Sequence, residues 1–117
     1  MEYKVFNAQY LENVTGGDPD IRQEIVAIFR DQVPEFVSEM KQLLDKKQYY
    51  DLGLLAHKAK SSVAIMGMEE TARMLKTLEL MAKAGENPQD YPNYVKQFEE
   101  DTSLVLKEID HYLSENQ

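Results

Sequence analysis

Asp51-Leu-Gly-Leu-Leu-Ala-His57-Lys-Ala-Lys60-Ser-Ser-Val-Ala-Ile-Met-Gly67-Met68 is the stretch whose reading decides the fold. Leu52, Leu55, Ala59, Ser62/Val63 and Met66 recur every three or four positions, which predicts one helix with a single inward face. Gly67 can adopt the left-handed conformation that ends a helix. On a wheel of about 100° per residue, His57 falls away from the apolar face, and Gly53, Lys60, Ser61 and Ala64 share its outward strip. A solvated strip ordinarily carries long charged side chains. Here small residues surround one imidazole and one ammonium group, so something large can reach the ring nitrogen.

The same period runs outward in both directions. Beyond Gly67, Thr71, Met74/Leu75, Leu78 and Met81/Ala82 predict a helix over 69–84, with Glu69 and Glu70 complementing its N-terminus and Gly85 ending it. A polar loop follows. Tyr91, Val95, Phe98, Thr102, Val105, Ile109 and Tyr112 then form a nearly regular seam, predicting a helix over 90–114. Upstream, Lys46-Lys47-Gln48 is a tight connection, and Tyr49-Tyr50 opens the His57 helix, 49–66. Before it, Asp18 as cap and Pro19 at the first helical position start a stripe of Ile21, Ile25, Phe29, Val33, Phe36/Val37, Met40 and Leu43/Leu44. This is one helix, 19–45, which Pro34 should bend. Asn7 caps a short helix, 8–14, ended by Thr15-Gly16-Gly17, and residues 1–6 show no period and form an extended or loose lead-in.

These elements predict an all-α protein: an antiparallel four-helix bundle with a short extra N-terminal helix, one domain over 1–117. Most methionines lie on apolar faces and fill the core, with Met68 expected at the surface.

The charge balance, 21 acidic against 13 basic residues and a net −8, is the reverse of what a phosphate-backbone binder carries, which argues against nucleic acid. Lys46, Lys47, Lys58 and Lys60 cluster near His57. The first two are read as ordinary solvating residues, while local positive charge there would favour an anionic ligand or acidic partner. No apolar run approaches membrane-spanning length and there is no cysteine, so a cytoplasmic protein without thiolate chemistry is expected. The short loops suggest a closed core and a monomer, and Met1 suggests a free-standing chain.

Few residues can carry chemistry. No Gly-X-Ser-X-Gly turn presents a nucleophilic serine. Glu108-Ile-Asp-His111 has the Glu-x-x-His spacing of di-metal bundles, but there is no second copy, and no metal site is expected. His57 stands apart because imidazole is nucleophilic near neutral pH and can carry a phosphoryl group on a ring nitrogen. Such a group brings about two negative charges, and Lys60, one turn on, can neutralise them. By itself the pair does not exclude an ordinary surface histidine, since His and Lys fall at that spacing often.

Ala56-His57-Lys58-Ala59-Lys60-Ser61-Ser62-Val63-Ala64-Ile65-Met66-Gly67-Met68 resembles the signature of histidine-containing phosphotransfer (HPt) domains of multistep phosphorelays, and Leu78-Glu79 matches the Leu-Glu pair on that family's next helix. Helix order and loop pattern extend the resemblance over roughly 18–113. Ala59 stands where a larger apolar residue is usual, and Ser61 where glycine is frequent; neither departure touches the acceptor. The resemblance implies that His57 accepts phosphate, that Lys60 stabilises the phosphoryl group, and that Gly53, Lys58, Ser61 and Ala64 leave room for a docking receiver domain. It further implies no cofactor of the chain's own, Mg²⁺ being supplied by the receiver, and partners among response-regulator receiver domains or a hybrid sensor histidine kinase. The protein would carry phosphate without kinase activity or an ATP site. The alternative is a non-catalytic helical adaptor that docks receivers and carries nothing.

Overall fold

Two helix starts expected from capping chemistry are both made. The Asn7 side chain accepts from the Tyr10 N–H at 3.0 Å and begins α1 (Ala8–Thr15). Asp18 accepts from the N–H groups of Asp20 and Ile21 and begins α2 (Pro19–Asp45), with Pro19 in the first turn, where no intrahelical partner is needed for its missing N–H. In the computed structural model, which describes residues 3–115, α3 (Tyr49–Ile65), α4 (Glu69–Ala84) and α5 (Tyr91–Glu115) follow, the last entered through a 3₁₀ turn, Pro88–Asp90. The described residues are all-helical, without strands. Pro34 lies exposed inside α2, which continues past it as one helix.

The long helices close on one another in a ring: α2 packs on α3 and α5, and α4 packs on α3 and α5. Phe29, Val33, Phe36 and Met40 of α2 meet Leu52, Leu55, Ala59 and Val63 of α3, Leu75 and Leu78 of α4, and Val95, Phe98, Val105 and Ile109 of α5 in a single buried cluster. Each fully buried branched or aromatic side chain contributes about 2 kcal/mol relative to exposure, so this cluster dominates folding. The molecule measures 45 × 23 × 20 Å. A 27-residue helix spans about 40 Å, so α2 runs along the long axis.

Two expectations about which apolar side chains face the core require correction. Met68 is fully buried. Gly67 takes φ +69°, and the Met68 N–H returns to the Val63 carbonyl at 3.2 Å, closing the end of α3 in a way that folds the following residue back onto the core. Ile21, on the predicted inner stripe of α2, is exposed, and Val26 takes the buried place instead.

The lead-in, expected extended or loose, is non-helical chain fastened in place over its described part; Met1 and Glu2 lie outside the described residues. The N–H groups of Lys4, Val5 and Phe6 all donate to the Glu108 carboxylate, at 2.7, 3.0 and 3.0 Å. Phe6 is buried in the core, edge-on to Tyr3 and Tyr112. Glu108 and His111, the one Glu-x-x-His spacing in the chain, are thus engaged structurally: Glu108 by these amides, His111 by the Tyr3 hydroxyl at 3.1 Å and by Glu115.

Candidate functional site

His57 lies on α3 beside α4, clear of the buried face formed by Leu52, Ala56, Ala59 and Val63. Its side chain is 57% exposed. The ring is nevertheless fixed from one side. Nδ1 lies 3.1 Å from both Oε1 and Oε2 of Glu79 on α4, a carboxylate that is itself only 5% exposed. The two helices run in opposite senses here, so residue 53 of α3 meets residue 83 of α4 while His57 and Lys60 meet Glu79.

Burial alone would favour a neutral carboxyl. Glu79 is instead held ionised, its pKa lowered to about 2, first by the hydrogen bond from Lys83 Nζ and then by the bond from His57, which together outweigh desolvation. An ionised carboxylate can only accept hydrogen bonds. Nδ1 must therefore carry its proton, and in the neutral ring the lone pair sits on Nε2, the nitrogen turned away from Glu79. Fixing one nitrogen as donor makes the other a nucleophile with a defined direction.

Two lysines complete the cluster. Lys60, 25% exposed, places Nζ 3.7 Å from Glu79 Oε1. Lys83 donates to Oε2 at 2.9 Å from one turn further along α4. Lys60 is therefore half-buried over Glu79 rather than fully outward. Lys58, Ser61 and Ala64 are exposed on α3 as expected. Gly53 is not: it is buried against α4, where a Cβ would lie 2.8 Å from Lys83 Cγ. It makes room for a neighbouring helix and leaves the set of surface residues. Beside Ser61 and Ser62, a shallow apolar recess of about 190 Å³ is lined by Ile25, Ile28, Phe29 and Ile65 between α2 and α3.

Glu79 entered the sequence reading only through the Leu-Glu resemblance, and Lys83 not at all. The signal for both was the Glu-to-Lys i,i+4 spacing on α4, at the edge of the apolar stripe.

The arrangement can present an oriented nucleophilic nitrogen beside a partly exposed ammonium group, and it can steady an anion formed on that nitrogen. Among the described residues there is no cluster of His, Cys, Asp and Glu arranged to hold a metal ion, and no helix is long and apolar enough to cross a membrane.

Compared with known proteins, residues 24–115 match the family model of the Hpt domain, a span from within α2 to the end of α5. No curated protein and no solved structure matches the chain. Hpt domains serve phosphotransfer in phosphorelays and interact with receiver domains and kinases of two-component systems. With most of its length matched and its helices in place, the chain belongs to the Hpt domain family.

Proposed function

We propose that His57 takes a phosphoryl group from the aspartyl phosphate of one receiver domain and passes it to the aspartate of another. The observation that carries this reading is the His57–Glu79 pair, an exposed imidazole whose Nδ1 is held by a buried ionised carboxylate. The Nε2 lone pair attacks phosphorus; the P–N bond forms as the acyl-phosphate P–O bond breaks, and the electron pair departs with the aspartate carboxylate. The phosphorylated ring keeps its Nδ1 proton and its positive charge. It is therefore a competent leaving group when the next aspartate attacks, and the electron pair returns to Nε2.

Lys60, the less tightly held of the two lysines, is the group that swings to the phosphoryl oxygens. Lys58, Ser61 and Ala64, with the recess between α2 and α3, form the surface against which the receiver docks. The chain supplies no cofactor in this reading. The Mg²⁺ and most of the charge stabilisation at phosphorus come from the receiver. The ring of contacts among α2, α3, α4 and α5 supports an antiparallel four-helix bundle as the scaffold.

The test is transfer from a receiver domain carrying radiolabelled phosphate. The wild-type chain becomes labelled, His57→Gln does not, and ATP alone labels neither. Equal labelling of His57→Gln overturns the reading, and receiver binding without any label leaves the adaptor in its place.

A further inference from the structure

Glu79 faces two ammonium groups, and the proposed transfer uses only one of them. Lys60 lies 3.7 Å from Oε1, beyond hydrogen-bond length, whereas Lys83 donates to Oε2 at 2.9 Å. Lys60 can move without breaking a bond; Lys83 cannot.

Gly53 explains how Lys83 reaches that position. A Cβ at residue 53 would fall 2.8 Å from Lys83 Cγ, 3.0 Å from the Glu79 carbonyl oxygen and 3.1 Å from the Lys83 backbone nitrogen. The backbone of Gly53 is helical, so its conformation does not call for glycine. The missing side chain leaves a slot through which the Lys83 stem crosses beside α3.

We infer that Lys83 is a positioning residue: it remains on Glu79 as a standing counter-ion, so that Lys60 can leave for the phosphoryl group arriving on Nε2, and Gly53 is the slot that admits it. The inference rests on the phosphoacceptor reading. Its physical basis is the cost of stranding a buried anion. A carboxylate that is 5% exposed cannot turn to water when its cation departs. If one lysine served both anions, each transfer would leave Glu79 with the imidazolium N–H alone as roughly two further negative charges arrived on that same ring. With Lys83 in place each of the two anions keeps an ammonium group of its own. Lys83 is also the first cause of the lowered Glu79 pKa.

The experiment uses the full chain with Lys83→Met, Lys83→Arg and Gly53→Ala, read in two ways. In the unphosphorylated protein, carbon NMR follows the Glu79 carboxyl through its acid titration. The midpoint should rise by about one pH unit or more in Lys83→Met, less in Gly53→Ala, and return in Lys83→Arg. Labelling is then measured with phosphoramidate, whose P–N bond breaks as the bond to Nε2 forms and ammonia departs. Lys83→Met should slow it about tenfold, and Lys60→Ala added to Lys83→Met should cost little more, because Lys60 is already committed to Glu79. A Glu79 midpoint unmoved in Lys83→Met, or Lys60 and Lys83 effects that simply multiply, overturns the inference. A wild-type chain that takes no label refutes the phosphoacceptor reading, and the task given to Lys60 falls with it. That failure is distinct, because the Glu79 titration reports the Lys83 contact without any phosphate.

Discussion

Asn7 crosses Gly67 so closely that a Cβ built on Gly67 falls 2.4 Å from the Asn7 Cβ. The Asn7 N–H donates to the carbonyl of Met66 at 3.1 Å in the same crossing, fastening the N-terminal segment to the end of α3. Gly67 therefore meets two independent demands. Its φ of +69° ends the helix, and its bare α-carbon lets another strand of chain pass over it.

Substituting Gly67 with Ala should show both. A side chain in the left-handed region costs about 1–2 kcal/mol, and the clash with Asn7 adds to it, for a total of about 3 kcal/mol. Gly85 is the control: it has φ +69° with nothing within 4 Å of an added Cβ. Gly85→Ala should lose about 1 kcal/mol. Urea unfolding of the two variants decides the matter; equal losses would mean that the crossing at Asn7 relaxes freely.

Glu108 is the other anchor of the N-terminal segment. Its two oxygens accept three backbone N–H groups, from Lys4, Val5 and Phe6. Glu108→Gln replaces one accepting oxygen with a donating amide that faces those N–H groups. The expected loss is about 2 kcal/mol, with faster hydrogen exchange at Lys4, Val5 and Phe6 while the amides of α3 and α4 keep their protection. Unchanged exchange at these three amides would show that Phe6 burial alone holds the segment.

Much of this architecture was legible from periodicity, because the inner faces of α3, α4 and α5 each repeat with the turn of a helix. Leu52, Leu55, Ala59, Val63 and Met66 are all buried where the wheel put them. The caps at Asn7 and Asp18 were legible for the same local reason. What escaped was set by neighbours remote in sequence. A wheel describes one helix against solvent, so Gly53 looked outward, although α4 approaches it. Residues 3–6 have no period because a carboxylate about a hundred residues away orders them. Polarity alone gives no reason to bury Glu79, yet its partners on α3 and α4 make burial tolerable. His57 was legible as an exposed imidazole; the contact that holds its ring from α4 was not.

Acid should destabilise the protein through Glu79. Its pKa in the folded state is lowered to about 2, chiefly by Lys83 and then by His57, against an ordinary value of 4.5. A folded-state value below the unfolded one means that the ionised form stabilises the fold. That contribution is fully present above the ordinary carboxylate range and is lost as pH falls from 4.5 towards about 2. Denaturant midpoints measured near neutral pH and at about pH 3 should therefore converge more closely in Glu79→Gln than in the wild type. Equal acid sensitivity would assign the effect to other carboxylates, such as Glu12, whose pKa is also lowered, foremost by the Tyr112 hydroxyl.

Glu79→Gln should also separate nucleophile orientation from folding. Lys60 and Lys83 are both partly exposed, so on losing the carboxylate they can turn their ammonium groups to water, and no buried charge is left unpaired. Stability near neutral pH should fall by no more than about 1–2 kcal/mol. Transfer is affected more. A glutamine can meet Nδ1 with either its oxygen or its NH₂ group, so the ring is no longer held with its lone pair on Nε2, and the phosphorylated ring loses the anion that balanced its charge. Loss of a comparable carboxylate partner elsewhere lowers rates by orders of magnitude. Because His57 remains exposed, a drop on the order of a hundredfold is expected here, measured as the initial rate of label uptake from a phosphorylated receiver domain. The residual label should still sit on His57. A variant that folds, docks the receiver and takes label at the wild-type rate would show that exposure of the imidazole suffices, without Glu79 orienting it.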